Sequence, residues 1–165
     1  MEGTIMIPAM IETHLRERHS VYEHHRHSLA MTAQELAATE HVSGYRVAKP
    51  VVVRLDGRLA IAVVAATDRV ALGTLEEATA STTAELVPEA DFAGSFRPCE
   101  PGSEPPLALF GLPIFVDEKL LHEKRLLMPA GTHEDAIALD THEWIQCEEV
   151  QPIANLGIRA GEHRA

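Results

Sequence analysis

Val47-Ala48-Lys49-Pro50-Val51-Val52-Val53-Arg54-Leu55-Asp56-Gly57-Arg58-Leu59-Ala60-Ile61-Ala62-Val63-Val64 is the stretch whose reading decides the fold. Two apolar runs rich in β-branched residues flank Asp56-Gly57, and an Asp-Gly pair readily takes the positive φ angles that a tight two-residue hairpin turn demands. The stretch predicts an antiparallel hairpin. Upstream, Met6, Met10, Ile11 and Leu15 recur at helical spacing, which predicts an amphipathic helix over residues 8 to 18. Val21 to His27 then reads as a short strand or loop. Thr32-Ala33-Gln34-Glu35 has the form of a capping box, so a helix is expected from there to about His41, ended by His41-Val42-Ser43-Gly44.

Downstream of the hairpin, Leu72 to Thr79 reads as a helix, and Thr83 to Val87 leads into a second short one begun by Pro88. The stretch Phe96 to Pro113 carries Pro98, Pro101, Pro105, Pro106 and Pro113 with Gly102 and Gly111, a density that excludes regular helix and predicts an ordered loop. Strands are expected over Ile114 to Val116, Arg125 to Met128 and Ala136 to Leu139. Asp117 is placed to cap a helix running through Leu121, and Asp140 to open a helix containing Trp144. Interleaved helices and strands around an antiparallel hairpin give an α/β (mixed α+β) class, with a mixed, mostly antiparallel sheet packed by helices. Residues 1–150 are read as one domain and 151–165 as an irregular C-terminal tail.

A chain of 165 residues that is 45% hydrophobic buries one sizeable core. No run reaches the roughly 18 consecutive apolar residues of a membrane span, and acids stand near the N-terminus where a signal peptide carries positive charge. A cytoplasmic protein without a membrane partner is expected. Cys99 and Cys147 form neither a CxxC pair nor a disulfide framework and read as structural thiols. The net charge of −11 disfavours a non-specific grip on nucleic acid, DNA included. An enzyme that reads only the end of an RNA needs few phosphate contacts, however. Arg46, Lys49, Arg54, Arg58 and Arg69, set against only Asp56 and Asp68, offer a locally positive strip for that purpose.

The phosphate loop GxxxxGK[ST], the nucleophile elbow GxSxG and the zinc helix HExxH are all missing, which removes the usual NTPases, α/β-hydrolases and zincins. His24, His25 and His27 invite a metal reading but lack a carboxylate or cysteine nearby at ligand spacing, so a solvated surface is expected, with no metal and no cofactor. Glu76-Glu77 and Glu148-Glu149 read as solubilising charge, and Trp144 as core.

Four segments remain. They are Thr32-Ala33-Gln34-Glu35-Leu36-Ala37; Arg46-Val47-Ala48-Lys49; Pro98 to Pro106, followed by Gly111 to Asp117; and Ala130-Gly131-Thr132-His133. In this order, over about Val21 to Gln146, they resemble the YbaK/prolyl-tRNA synthetase-associated editing domain. The resemblance implies a small mixed α/β domain that hydrolyses the ester of mischarged aminoacyl-tRNA. It places Lys49, Gly102 and His133 at the aminoacyl ester. It puts Ser103, Glu104, Pro105 and Pro106 of the Gly-x-x-x-Pro loop in the surrounding pocket, together with Gly131, Thr132, Asp117 and Arg46. The partners it implies are the acceptor end of a mischarged tRNA and an aminoacyl-tRNA synthetase.

The residues suit that chemistry. Ester hydrolysis needs a side-chain pocket, donors for the developing oxyanion and a positioned water. Gly102 permits close approach of backbone N–H groups, Pro105 and Pro106 stiffen the loop, and Lys49 offers a point charge. His133 can act as a base, contact substrate or order its loop. The expected mechanism is substrate-assisted water attack on the ester of a small amino acid: Ala, Ser, Thr, Cys or Pro. Two departures bear on substrate choice: Pro50 follows the lysine where a small residue or Thr is more usual, and Arg26-His27-Ser28 replaces an acidic-His-Pro turn. The rival readings are a catalytically silent module that holds aminoacyl-tRNA or a partner in the same pocket, and an ester or amide hydrolase acting on a small metabolite.

Overall fold

Strands β2 (Ala48–Leu55) and β3 (Arg58–Ala65) pair antiparallel, with Leu55 opposite Arg58 and Ala48 opposite Ala65. Asp56 and Gly57 turn between them at φ 47° and 86°, as the Asp-Gly pair predicts. The computed structural model describes residues 7–27, 33–40 and 43–159. Thr32 of the expected capping box and His41 at the expected helix end lie outside them. Asp56 also accepts from the backbone N–H of Thr82 and of Thr83, each at 2.9 Å, which fastens the hairpin turn to the chain entering β5 (Ala84–Leu86).

The hairpin anchors a five-stranded sheet of order β5-β2-β3-β6-β9, where β6 is Ile114–Asp117 and β9 is Gln151–Ile153. The β3–β6 and β6–β9 pairs are parallel and the other two antiparallel. A second, antiparallel sheet of order β1-β8-β7 comprises Tyr22–Arg26, Asp135–Asp140 and Arg125–Pro129. A bridge between Val47 and Leu127 joins the start of β2 to β7. Two short strands, β4 (Asp68–Val70) and β10 (Gly157–Arg159), pair antiparallel. The fold is thus mixed α/β with mostly antiparallel ladders. The C-terminal residues read from sequence as irregular instead supply β9 and β10 up to Arg159. Two three-residue strands carry too little periodic pattern to be seen without their partners.

Residues 60–65 of β3 are buried on both faces because helices and loops cover the sheet from either side. On one face Ile61, Val63 and Ala65 join Ile11 and Leu15 of α1 (Ala9–Glu17), Phe96, Leu107 and Trp144 in the main core. On the other, Ala60, Ala62 and Val64 pack with Leu75 of α3 (Leu72–Thr79) and Leu156. A third cluster holds Leu36 and Ala37 of α2 (Ala33–Thr39) against Val47, Ala66, Leu127 and Ala136. Pro88 precedes the short helix α4 (Glu89–Phe92). Asp140 caps α5 (Thr141–Cys147) by accepting from Glu143 N–H, and Asp117 accepts from Lys119 N–H at the head of a 3₁₀ turn.

Two surface expectations are corrected. Glu148 is 3% exposed, accepting from the Ala108 N–H at 2.6 Å and meeting His14 Nε2 at 2.7 Å, so it is a buried tie between α1 and the proline-rich loop. Glu76 accepts from Ala84 N–H at 2.9 Å and pins β5. The expected basic strip also divides: Arg54 and Arg58 sit at the hairpin tip, about 17 and about 20 Å along β2 from Lys49 at a strand rise of about 3.3 Å per residue.

Candidate active site

Lys49 lies near the start of β2, where β3 pairs with it but β5 does not yet reach. That open edge tolerates Pro50, which donates nothing to a ladder. The Lys49 ammonium donates to the backbone carbonyl of Asp68 and, at 3.4 Å, to that of Ala66. Burial pulls its pKa below the usual lysine range, and the nearby Asp68 charge partly opposes that. Behind it, Lys119 Nζ stands 3.1 Å from Asp68 Oδ2 and 3.7 Å from Asp117 Oδ2, and Asp117 Oδ2 accepts from Gly157 N–H at 2.8 Å. Asp68, whose carbonyl holds Lys49, is thereby braced by β10.

The proline-rich loop is fastened to the turn between β7 and β8 by reciprocal backbone bonds. Glu100 N–H donates to the Gly131 carbonyl at 2.9 Å, and Gly131 N–H to the Ser103 carbonyl at 2.8 Å. Gly131 has φ 96°, and a Cβ there would lie 2.6 Å from Cδ of Pro8, so only glycine fits. His133 completes the fastening: its N–H donates to Glu100 Oε1 at 2.6 Å and its Nε2 lies 2.7 Å from the Pro101 carbonyl. At the far end of the loop the Trp144 indole donates to the Pro106 carbonyl at 3.0 Å.

These elements enclose a cavity of about 50 Å³ lined by His27, Lys49, Gly102, Ser103, Thr132 and Asp135, with Pro50, Pro129, Ala33 and Leu36 as its apolar wall. A wider, open cleft on the other side of Lys49 and Gly102 is bordered by Glu104, Glu89, Phe92 and Leu86. Glu104, 5% exposed, turns its carboxylate onto the Gly102 N–H, each oxygen at 3.2 Å. Burial pushes its pKa up to about 6 against the pull of that amide. Gly102 has φ 89°, but its N–H is therefore engaged by Glu104, and Ser103 N–H donates to the Glu100 carbonyl at 3.0 Å. The loop amides expected to face an oxyanion are satisfied within the loop.

Of the residues singled out from sequence, Lys49, Gly102, Ser103 and Thr132 line the small cavity, and Glu104 borders the neighbouring cleft. Gly131, His133 and Pro106 hold the loop in place, with Pro105 between Glu104 and Pro106. Two residues stand apart: Arg46 is exposed, 3.7 Å from Glu123, and Asp117 belongs to the buried brace behind Asp68. Asp135 was not anticipated. It is 1% exposed and lines the cavity, with Oδ1 2.5 Å from His24 Nε2 and Oδ2 accepting from Thr132 Oγ1 at 2.5 Å. His24 is thus not merely solvated. It shares a sheet face with Asp135 because Arg26 pairs with Asp135 and His24 with Ile137, a diagonal relation that only the register reveals. Among the described residues, no three His, Cys, Asp or Glu side chains gather as a metal site.

The family model for the aminoacyl-tRNA editing domain matches residues 27–147, which include every residue lining the cavity. The chain belongs to the aminoacyl-tRNA editing domain family. Solved structures share its fold. A candidate trans-editing enzyme for prolyl tRNA synthetase is similar at TM-score 0.76 and 18% identity, covering 92% of this chain and 98% of that one. A hypothetical protein is similar at TM-score 0.81 and 18% identity, covering 90% and 99%. A candidate signal transduction protein from Marinobacter aquaeolei VT8 reaches TM-score 0.71 at 11% identity, covering 93% of this chain but 31% of that one. Among curated proteins, none matches the sequence. No helix among the described residues is long and apolar enough to cross a membrane.

Proposed function

We propose that this editing domain is a trans-acting deacylase that hydrolyses the ester of a tRNA mischarged with a small amino acid. The observation that carries the reading is the confined cavity between Lys49 and the Gly102-Ser103 segment, inside the region that defines the family. A volume of about 50 Å³ suits a small side chain. The fold it shares with a candidate trans-editing enzyme for prolyl tRNA synthetase supports action on a tRNA released by a synthetase, which makes a synthetase a natural partner.

In this reading water adds to the ester carbonyl, the bond from carbonyl carbon to ribose oxygen breaks, and a water proton passes to that oxygen by way of the neighbouring ribose hydroxyl. Free amino acid and tRNA leave. Among the described residues Lys49 is the lysine of the cavity wall, and as an ammonium it stabilises the developing oxyanion or an adjacent phosphate. The Gly102 amide joins it only where the Glu104 carboxylate gives way. His133 acts through the loop it fastens.

A deacylation panel across tRNAs mischarged with Ala, Ser, Thr, Cys and Pro tests the proposal. Turnover of at least one is expected, with Lys49→Ala lowering kcat by about 10²-fold or more, the usual cost of removing an oxyanion donor. The net charge of −11 favours the rival, a silent binding module. Stoichiometric tRNA binding without turnover on every substrate would establish that rival instead, and turnover of free aminoacyl esters without tRNA would point to a metabolite hydrolase.

A further inference from the structure

Asp135 has no part in the proposed hydrolysis, yet it is a nearly inaccessible carboxylate in the wall of the same cavity as Lys49. Removing a carboxylate from water is unfavourable unless donors or cations compensate it. Here a hydroxyl and an imidazole do part of this: Thr132 holds Oδ2 and His24 holds Oδ1, so the group is aimed as well as buried. Both oxygens already have a partner and the side chain is fully buried, so a donor arriving from the cavity must share an oxygen that Thr132 or His24 holds, within the roughly four acceptor sites of a carboxylate. The remaining titratable member of the wall is His27.

An aminoacyl ester presents two polar features on adjacent carbons, a carbonyl that turns anionic during hydrolysis and an α-ammonium. The cavity presents Lys49 and Asp135. We propose that Asp135 is the subsite for a free α-ammonium group, so that the substrates are esters of unblocked amino acids and N-acylated ones are rejected. The inference rests on the deacylase reading for the identity of the ester, but the subsite is testable without turnover. N-acylation abolishes the positive charge and adds bulk to a group held in a cavity of only about 50 Å³. Charge and size then act in the same direction, and variants of Asp135 and of Thr132, which orients it, separate them.

The experiment measures binding of adenosine analogues that carry alanine, serine, threonine, cysteine or proline through an amide in place of the ester, each with a free and an N-acetylated amine. For the best-bound member, the free amine is expected to bind at least about tenfold more tightly to the wild-type protein, as a desolvated charge pair warrants. Asp135→Asn, close in shape, should weaken the free-amine analogue by a similar factor and leave the N-acetyl analogue within about twofold. Thr132→Val, which removes one orienting bond, should give a smaller loss of about threefold in the same direction. Equal affinity of the two analogues for the wild type, or equal weakening of both by Asp135→Asn, overturns the proposal. Should Asp135→Asn fail to fold, the wild-type ratio and Thr132→Val decide. A free-amine preference without hydrolysis of any mischarged tRNA keeps the subsite and removes the deacylase reading. Equal hydrolysis of free and N-acetylated aminoacyl-tRNA does the reverse.

Discussion

His133 Nε2 lies 2.7 Å from the carbonyl oxygen of Pro101, and this contact, with the bond from its own N–H to Glu100, clamps the proline-rich loop to the turn before β8. The histidine does not line the cavity that holds Lys49. A side chain in that place acts by keeping the loop registered rather than by moving a proton. His133→Ala should therefore lower kcat/KM by about tenfold to a hundredfold, the penalty of a small misplacement of positioning groups. His133→Asn, able to donate to the same carbonyl, should stay within about threefold of wild type. A general base would give the opposite pattern, with both variants equally impaired and the acidic limb of the pH–rate profile lost.

Lys49 yields a pH prediction whose sign follows from its burial. Its folded-state pKa is depressed, so the ammonium form needed for catalysis is lost as pH rises, and lost earlier than for an ordinary lysine. For stability, the same depression means that burial penalises the charged form, a penalty relieved as pH rises through the folded-state value. The deacylation rate, corrected for spontaneous ester hydrolysis, should fall on the alkaline side below the usual lysine range. Lys49→Arg should remove that limb, because guanidinium keeps its charge there, although its planar fork will lower the plateau. An unchanged alkaline limb in the arginine variant would assign the titration to another group.

The hairpin was legible because Asp56-Gly57 determines its own turn geometry, and α3 and α5 because their apolar spacing is local. The Gly102 to Pro106 loop could be located by its proline density, yet the direction of its amides could not. Glu104 bends back onto Gly102 in three dimensions, and no spacing rule distinguishes that from an outward-facing glutamate. Asp135 escaped notice because its partner His24 stands 111 residues away in a different strand. Glu148 read as surface charge because its neighbour Glu149 suggested a solvated pair, whereas His14 and the Ala108 amide enclose it. Local signals mark turns and caps. Burial of single polar groups depends on packing between elements.

Gly131 gives a stability test of the clamp. Alanine there meets a φ of 96°, disfavoured for a residue with a Cβ, and places that carbon 2.6 Å from Cδ and 2.7 Å from Cγ of Pro8. Proline cannot rotate away, and Ile11 Cδ1 stands at 3.0 Å. Backbone strain and overpacking together should cost about 3 kcal/mol, measured as the change in urea midpoint at constant m-value. A loss below about 0.5 kcal/mol would mean that the N-terminal turn of α1 yields easily, and that the clamp is not rigidly seated on it.

Glu104 allows the sharpest separation of stability from function. Its carboxyl titrates at about 6 in the folded chain against an ordinary value of 4.5, chiefly through burial. Between those two values the folded state binds more protons than the unfolded one, so stability falls as pH rises across that window and stays lower above it. The difference amounts to about 2 kcal/mol at most. Glu104→Gln removes the charge while keeping an oxygen for the Gly102 N–H. It should leave stability near wild type at about pH 4 and raise it by about 1–2 kcal/mol at about pH 8, as read from paired urea unfolding curves. An equal effect at both pH values would show that hydrogen bonding, not buried charge, sets the energetics of the loop. Because the carboxylate engages the Gly102 amide more strongly than a carboxamide does, the variant should also free that amide more readily. A stabilised protein that deacylates at least as fast as wild type would then identify Glu104 as a brake on the loop rather than a participant in the chemistry.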